Sequence, residues 1–248
     1  MKYKNILVEI HNHYVMHIIL NRRDKHNALN SELTDELIDA LKQCNLSELI
    51  KCIVISGSEN FCAGADINEL ASNPNFIRSW EFIDTVKKPI IAAVNGIAFG
   101  GGNELLLMCD IILASKEAKF AQPEICLGLI CGGGGTQRLP KKIGKGMAME
   151  MCLTGNSITA EEAKGIGLIN HTYDSDELIK YALQLADRIS LNPMEAIIST
   201  KKLIKDSYDN QSDGLMAEKN EFMRLLRGDN GIEGMNAFLE RRKPQFKN

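Results

Sequence analysis

The chain has 248 residues, 44% of them hydrophobic and 25% charged, with 29 basic residues against 32 acidic ones for a net charge of −3. That is enough chain to bury a sizeable core as one large α/β unit or two smaller ones. The slightly acidic balance gives no overall attraction to nucleic acid, and no apolar run approaches membrane-spanning length.

In chain order, residues 5–10 and 14–20 alternate as two strands joined by a tight turn at Asn12-His13. The start (Met1-Lys2-Tyr3-Lys4-Asn5) leads into that pattern rather than into a signal peptide. A polar loop from Asn21 to Leu29 precedes a helix from about Ser31 to Cys44, with Leu33, Leu37, Ile38 and Leu41 on one face. Lys51–Ser56 reads as a short buried strand, followed by the loop Gly57–Asp66, which opens into Ile67-Asn68-Glu69-Leu70. One unit later the same plan recurs: strand Pro89–Asn95, the triplet Gly100-Gly101-Gly102, and a helix over Asn103–Cys109. Asp110–Ala114 is a further strand, Glu124 a second isolated acid, and Cys131–Gln137 a flexible glycine-rich turn. Beyond Lys145 the pattern is helical, over 146–153, 160–164 (Thr159 as N-cap), 175–190, 193–208, 211–227 and 231–242, with one strand at 168–173. Strands alternating with helices and ending in helices describe an α/β core with a helical extension.

Seven cysteines form no C-x-x-C pair and sit mostly among apolar neighbours, which reads as reduced thiols in a cytoplasmic protein. Five histidines show no metal spacing; His11 and His13 read as alternating on a strand, which fits a solvated face better than a ligand pair. Two glycine-containing turns, Ala63-Gly64-Ala65 and Gly100-Gly101-Gly102, each follow a strand and lead into a helix. Both can aim main-chain N–H groups at one point, the requirement for an oxyanion hole. Glu104 heads an apolar helix and Glu124 lies in a second apolar setting. Such carboxylates serve either as paired structural groups or as acid/base catalysts.

At these residues the sequence strongly resembles the enoyl-CoA hydratase/isomerase (crotonase) family. The matching segments are Asn21-Arg22, Asn27-Ala28-Leu29, Phe61–Ile67, Lys88–Gly96, Gly100–Leu105, Phe120–Glu124, Gly134–Leu139 and Glu233–Phe238, in the family's order over almost the whole chain. The resemblance implies a crotonase fold of ββα superhelical turns, with residues 1–190 as the core carrying the CoA and active sites. Residues 191–248 would then be a helical region that mediates trimerisation, with two trimers commonly stacked as a hexamer. It implies Ala65 and Gly101 as oxyanion-hole amides, Glu104 as the group that binds and activates water, and Glu124 as the source of the α proton. Lys25, Ala63, Asp66, Ile67 and Asn68 match positions that line the CoA channel. The substrate would be an acyl-CoA thioester, with CoA as part of it and neither metal nor redox cofactor required. Arg23 stands where proline is usual, Asn68 where lysine often follows the motif isoleucine, and Cys131 where proline often precedes the second glycine run. Alternatives are an enoyl-CoA isomerase, a 2,3-dehydroadipyl-CoA hydratase of phenylacetate breakdown, and an RNA-binding homologue. Isomerases typically keep one of the two acids, and no aromatic–basic interleaving favours RNA.

Overall fold

The structure is a computed structural model that describes residues 3–73, 76–209, 224 and 228–247. Strand β1 (Ile6–His11) pairs antiparallel with β2 (Val15–Leu20) through a turn whose Asn12 (φ 49°) and His13 (φ 65°) are left-handed. Two consecutive left-handed residues make the turn whose twist matches that of a hairpin, and asparagine tolerates that conformation well. His13 therefore belongs to the turn, and the expected His11/His13 alternation on a strand does not form.

Onto β2 are added, all parallel, β3 (Cys52–Gly57), β4 (Ile90–Val94), a fifth strand (Ile111–Ser115) and a short last one (His171–Tyr173). Parallel strands covered on both faces are apolar throughout, which is why Cys52–Gly57 and Ile90–Val94 are uniformly buried. Alternation divides them between two cores. Ile53, Ile55, Ile90, Ala92 and Val94 join the larger one, with Leu33, Leu37 and Leu41 of helix α1 (Ser31–Leu46). Cys52, Val54, Ile91, Ala93 and Leu113 face the other side, under Leu178, Ala182 and Ala186 of the helix Leu178–Ser190. Asn30 caps α1 by accepting from the Leu33 N–H at 3.0 Å.

A second, three-stranded sheet was not expected from the sequence. Ile97–Phe99 pairs parallel with Lys119–Ala121, which pairs antiparallel with Ile158–Thr159. Strands of two or three residues carry no readable periodicity. Helices α2 (Ile67–Ser72) and α3 (Gly101–Leu107) follow the two turns singled out above. The segment Cys131–Gln137, expected as a turn, instead leads into helix α4 (Gly135–Ile143) despite Pro140 inside it. Helix α5 (Lys145–Thr154) and α6 (Ala160–Gly165) match expectation, and Thr159 caps α6 in a reciprocal box with Glu162. With Leu178–Ser190 as α7, α8 (Met194–Asp209) and α9 (Asp229–Leu239) complete the described elements. The helix expected over 211–227 lies outside the described residues, Arg224 excepted. Among the described residues no helix is long and apolar enough to cross a membrane.

Candidate active site

The chain after β3 is drawn alongside the short strand Ile97–Phe99. The Cys62 N–H donates to the Ile97 carbonyl and the Phe99 N–H to the Cys62 carbonyl, both at 3.0 Å. On its other side the Leu29 N–H donates to the Gly64 carbonyl and the Asp66 N–H to the Leu29 carbonyl, each at 2.7 Å. These ladders bring Ala63-Gly64-Ala65 against Gly100-Gly101. Gly64 (φ 106°) and Gly100 (φ 50°) hold conformations that a side chain would strain. A Cβ at Gly101 would lie 3.4 Å from the Ala65 nitrogen, so the two amides are neighbours. Among the described residues neither the Ala65 nor the Gly101 N–H donates to a protein oxygen. Buried main-chain donors are normally paired, so two adjacent unspent ones suit an incoming oxygen.

The loop that carries Ala65 is pinned from the motif Arg22–Leu29. Arg22 Nη1 donates to the Asp66 carboxylate at 2.7 Å and to the Ala28 carbonyl at 3.0 Å. That guanidinium holds the Asp66 carboxyl below the usual carboxylate range. Asp66 also caps α2, accepting from the Asn68 N–H at 3.1 Å. Asn27 donates to the Asn60 carbonyl at 2.7 Å, and the Ala63 N–H donates to the His26 carbonyl at 3.0 Å. Lys25, Ile67 and Asn68 are exposed around this loop, and Ala63 is half-buried.

Glu104 lies in the first turn of α3 and is 3% exposed. Its Oε1 accepts from the Gly133 and Gly135 N–H groups at 2.8 Å each, at the start of α4. The carboxylate thus occupies the positive end of a neighbouring helix, where unpaired N–H groups favour negative charge. Burial nevertheless pushes its pKa up, opposed by those amides and by the charge of Arg138. Arg138 is itself fixed, donating to the Gly133 carbonyl at 2.9 Å and paired with Asp84.

Glu124 is half-buried in a one-turn helix, Pro123–Leu127. Its Oε2 is buried with no hydrogen-bond partner among the described residues, and burial, then the nearby Glu104, push its pKa up. A carboxylate oxygen from each glutamate and the Cys131 Sγ lie within 4.8 Å of one another. A Cβ at Gly100 would stand 3.0 Å from Glu124 Oε1, which ties this carboxylate to the amide pair. The structure therefore brings Ala65, Gly101, Glu104 and Glu124 together. Although one carboxylate from each glutamate and a thiol converge, they make a poor metal cradle. Glu104 Oε1 is committed to two amides, and burial pushes the Cys131 thiol up to about 12.

Beside Glu124 opens an apolar cavity of about 220 Å³, lined by Leu129, Ile130, Cys131, Ala148, Met149 and Leu153 among others. A larger cleft of about 980 Å³ runs between α4 and α8 and touches none of the four groups above. The convergence of polar groups, rather than size, marks the smaller one. Sequence reasoning missed the amides of Gly133 and Gly135 as holders of Glu104. It also missed the contact at 3.1 Å between the buried amide side chains of Asn103 and Gln122, which joins α3 to the residue that links the strand Lys119–Ala121 to the Glu124 turn. The glycine run itself was the available signal: a Cβ at Gly133 would stand 2.8 Å from Glu104 Oε2.

Comparison with known proteins matches residues 11–248 to the family described as enoyl-CoA hydratase/isomerase. The chain is 42% identical over 239 residues to the mitochondrial enoyl-CoA hydratase of Pongo abelii, covering 93% of this chain and 82% of that one. It is 39% identical to the 2,3-dehydroadipyl-CoA hydratase of Escherichia coli K12, covering 94% and 95%. Among solved structures, an enoyl-CoA hydratase subunit from Geobacillus kaustophilus superposes with a TM-score of 0.95 at 37% identity, covering 100% and 99%.

Proposed function

Because this chain belongs to the enoyl-CoA hydratase/isomerase family and has its crotonase fold, we propose that it is a hydro-lyase adding water across the double bond of a 2-trans-enoyl-CoA. Acyl-CoA is the substrate, CoA is part of it, and no further cofactor takes part. The observation that carries the reading is the juxtaposition of two unspent amides, Ala65 and Gly101, with a carboxylate pair within 4.8 Å.

The chemistry follows from where charge develops. As the β carbon takes up hydroxide and the α carbon a proton, electron density moves onto the thioester carbonyl oxygen. The Ala65 and Gly101 N–H groups bind that oxygen and strengthen as its charge grows; one such donor is worth about 10²–10³ in rate. Glu104, steered by Gly133 and Gly135 through Oε1, binds and activates the water. Glu124 supplies the α proton, and the proton the water releases restores the pair. Burial raises both pKa values and so favours one shared proton, and the two carboxylates titrate as a couple rather than singly. Lys25, Ala63, Asp66, Ile67 and Asn68 border the CoA path around the Ala65 loop, Asp66 chiefly by anchoring that loop to Arg22. The apolar cavity beside Glu124 takes the acyl chain.

The helices beyond residue 190 are assigned to assembly as a homotrimer or a hexamer, supported by exposed Leu191, Ile204 and Ile232. Seven free cysteines support a reducing, cytoplasmic setting. The test is loss of the conjugated-thioester absorbance across short, medium, long and carboxylated 2-enoyl-CoAs. Hydration of at least one class is expected, and inertness toward all of them overturns the reading. Fastest turnover of the carboxylated thioester would favour the 2,3-dehydroadipyl reading, for which the Escherichia coli relative is the reason.

A further inference from the structure

The hairpin β1–β2 carries a polar cluster that the proposed reaction does not use. Glu9 and His17 are directly opposed across the antiparallel pair, and His11 lies two residues along β1 from Glu9, on the same face. Glu9 Oε2 is 3.4 Å from His11 Nε2 and 3.9 Å from His17 Nδ1, and one donor atom from each of the three residues lies within 4.8 Å of the other two. His17 is 3% exposed, yet among the described residues its Nδ1 has no hydrogen-bond partner. Its other nitrogen, Nε2, meets the buried Ser56 Oγ at 2.8 Å. With Nε2–H donating to Ser56, the lone pair on Nδ1 points into the cluster. His11 Nε2 is likewise buried without a hydrogen-bond partner.

We propose that Glu9, His11 and His17 form a binding site for one divalent transition-metal ion of the zinc type, separate from the glutamate pair. Imidazole nitrogen with carboxylate oxygen is a borderline donor set suited to Zn²⁺. Bonds of about 2.0–2.1 Å in a tetrahedron place ligand atoms about 3.3 Å apart, close to the Glu9–His11 separation. The remaining atoms need to close by about half to one and a half ångströms, within the reach of the exposed Glu9 and partly exposed His11 side chains. Ser56 plays the supporting part, fixing the His17 ring and its tautomer through the nitrogen that does not bind metal. Three donors leave a fourth position for water on the open side. An ion here joins two strands at the edge of the main sheet and stabilises the folded chain by mass action.

The test is titration of the full chain with Zn²⁺ alone, by calorimetry and by the thermal unfolding midpoint, for the parent, His11→Ala and Glu9→Gln. Both substituted side chains are partly exposed, so the variants should fold, which circular dichroism checks. Expected are one saturable Zn²⁺ site, a Zn²⁺-dependent rise in the parent's midpoint, and affinity lower by at least about tenfold in each variant. Crotonyl-CoA turnover without added metal should be unchanged in both variants. Absence of saturable binding to the parent, or binding that both variants leave intact, overturns the site; the latter would place the ion elsewhere, as would anomalous scattering away from His17.

Discussion

A half-buried carboxyl group whose buried oxygen lacks a partner among the described residues retains its proton more readily than it does in the unfolded chain, and Glu124 is such a group. Its folded pKa is raised, so between the ordinary carboxylate value and that raised value the folded state holds more protons. Stability from this group is complete at low pH and is lost as pH rises through that window. Glu124→Gln removes the loss. By scanning calorimetry the variant's melting temperature relative to the parent should therefore climb as pH rises through that window. In the same protein crotonyl-CoA hydration should fall by roughly 10²–10⁴, the usual contribution of a positioned acid or base. A flat stability difference across that range would count against the buried, raised carboxyl. At this scale the sequence pointed to two acids in apolar settings and two glycine turns. Which acid touches which amide was hidden, because Gly133 and Gly135 lie 29 and 31 residues from Glu104 and meet it only through tertiary packing.

Helix α4 shows where local patterns mislead. Four consecutive glycines and an internal proline argue against a helix on propensity alone. Here the first turn is capped from outside, by a side chain on α3, and the helix runs three residues past Pro140 to Ile143. Gly133→Ala should push Glu104 Oε2 off its position, because the new methyl would stand 2.8 Å from it. The expected result is a strong fall in kcat with native circular dichroism. Unchanged kcat would show that the carboxylate has slack. By contrast α6 was legible, since Thr159 and Glu162 announce a capping box three residues apart. Thr159→Ala should cost about 1 kcal/mol, read from the urea midpoint, and leave kcat alone.

Across the whole molecule, the main parallel sheet could be read from the chain because its strands are apolar on both faces and long enough to show it. The three-stranded sheet could not, and yet its strand Ile97–Phe99 is the ruler along which the Ala65 loop is laid. Ile55, fully buried in the larger core, separates stability from chemistry at this scale. Ile55→Ala should lose about 2–5 kcal/mol by denaturant titration, in keeping with truncation of a packed aliphatic group. A loss well under 1 kcal/mol would mean the core relaxes around the gap.

The doubling of Glu104 as proposed reagent and as the cap of α4 has a practical outcome for anyone wishing to trap a bound thioester. Removing that side chain should unseat the glycine run together with the helix it starts, so a silent Glu104→Ala protein would mix lost chemistry with altered architecture. Among the described residues Glu124 caps no such element, and its amide counterpart is the cleaner decoy for holding an intact ligand in place.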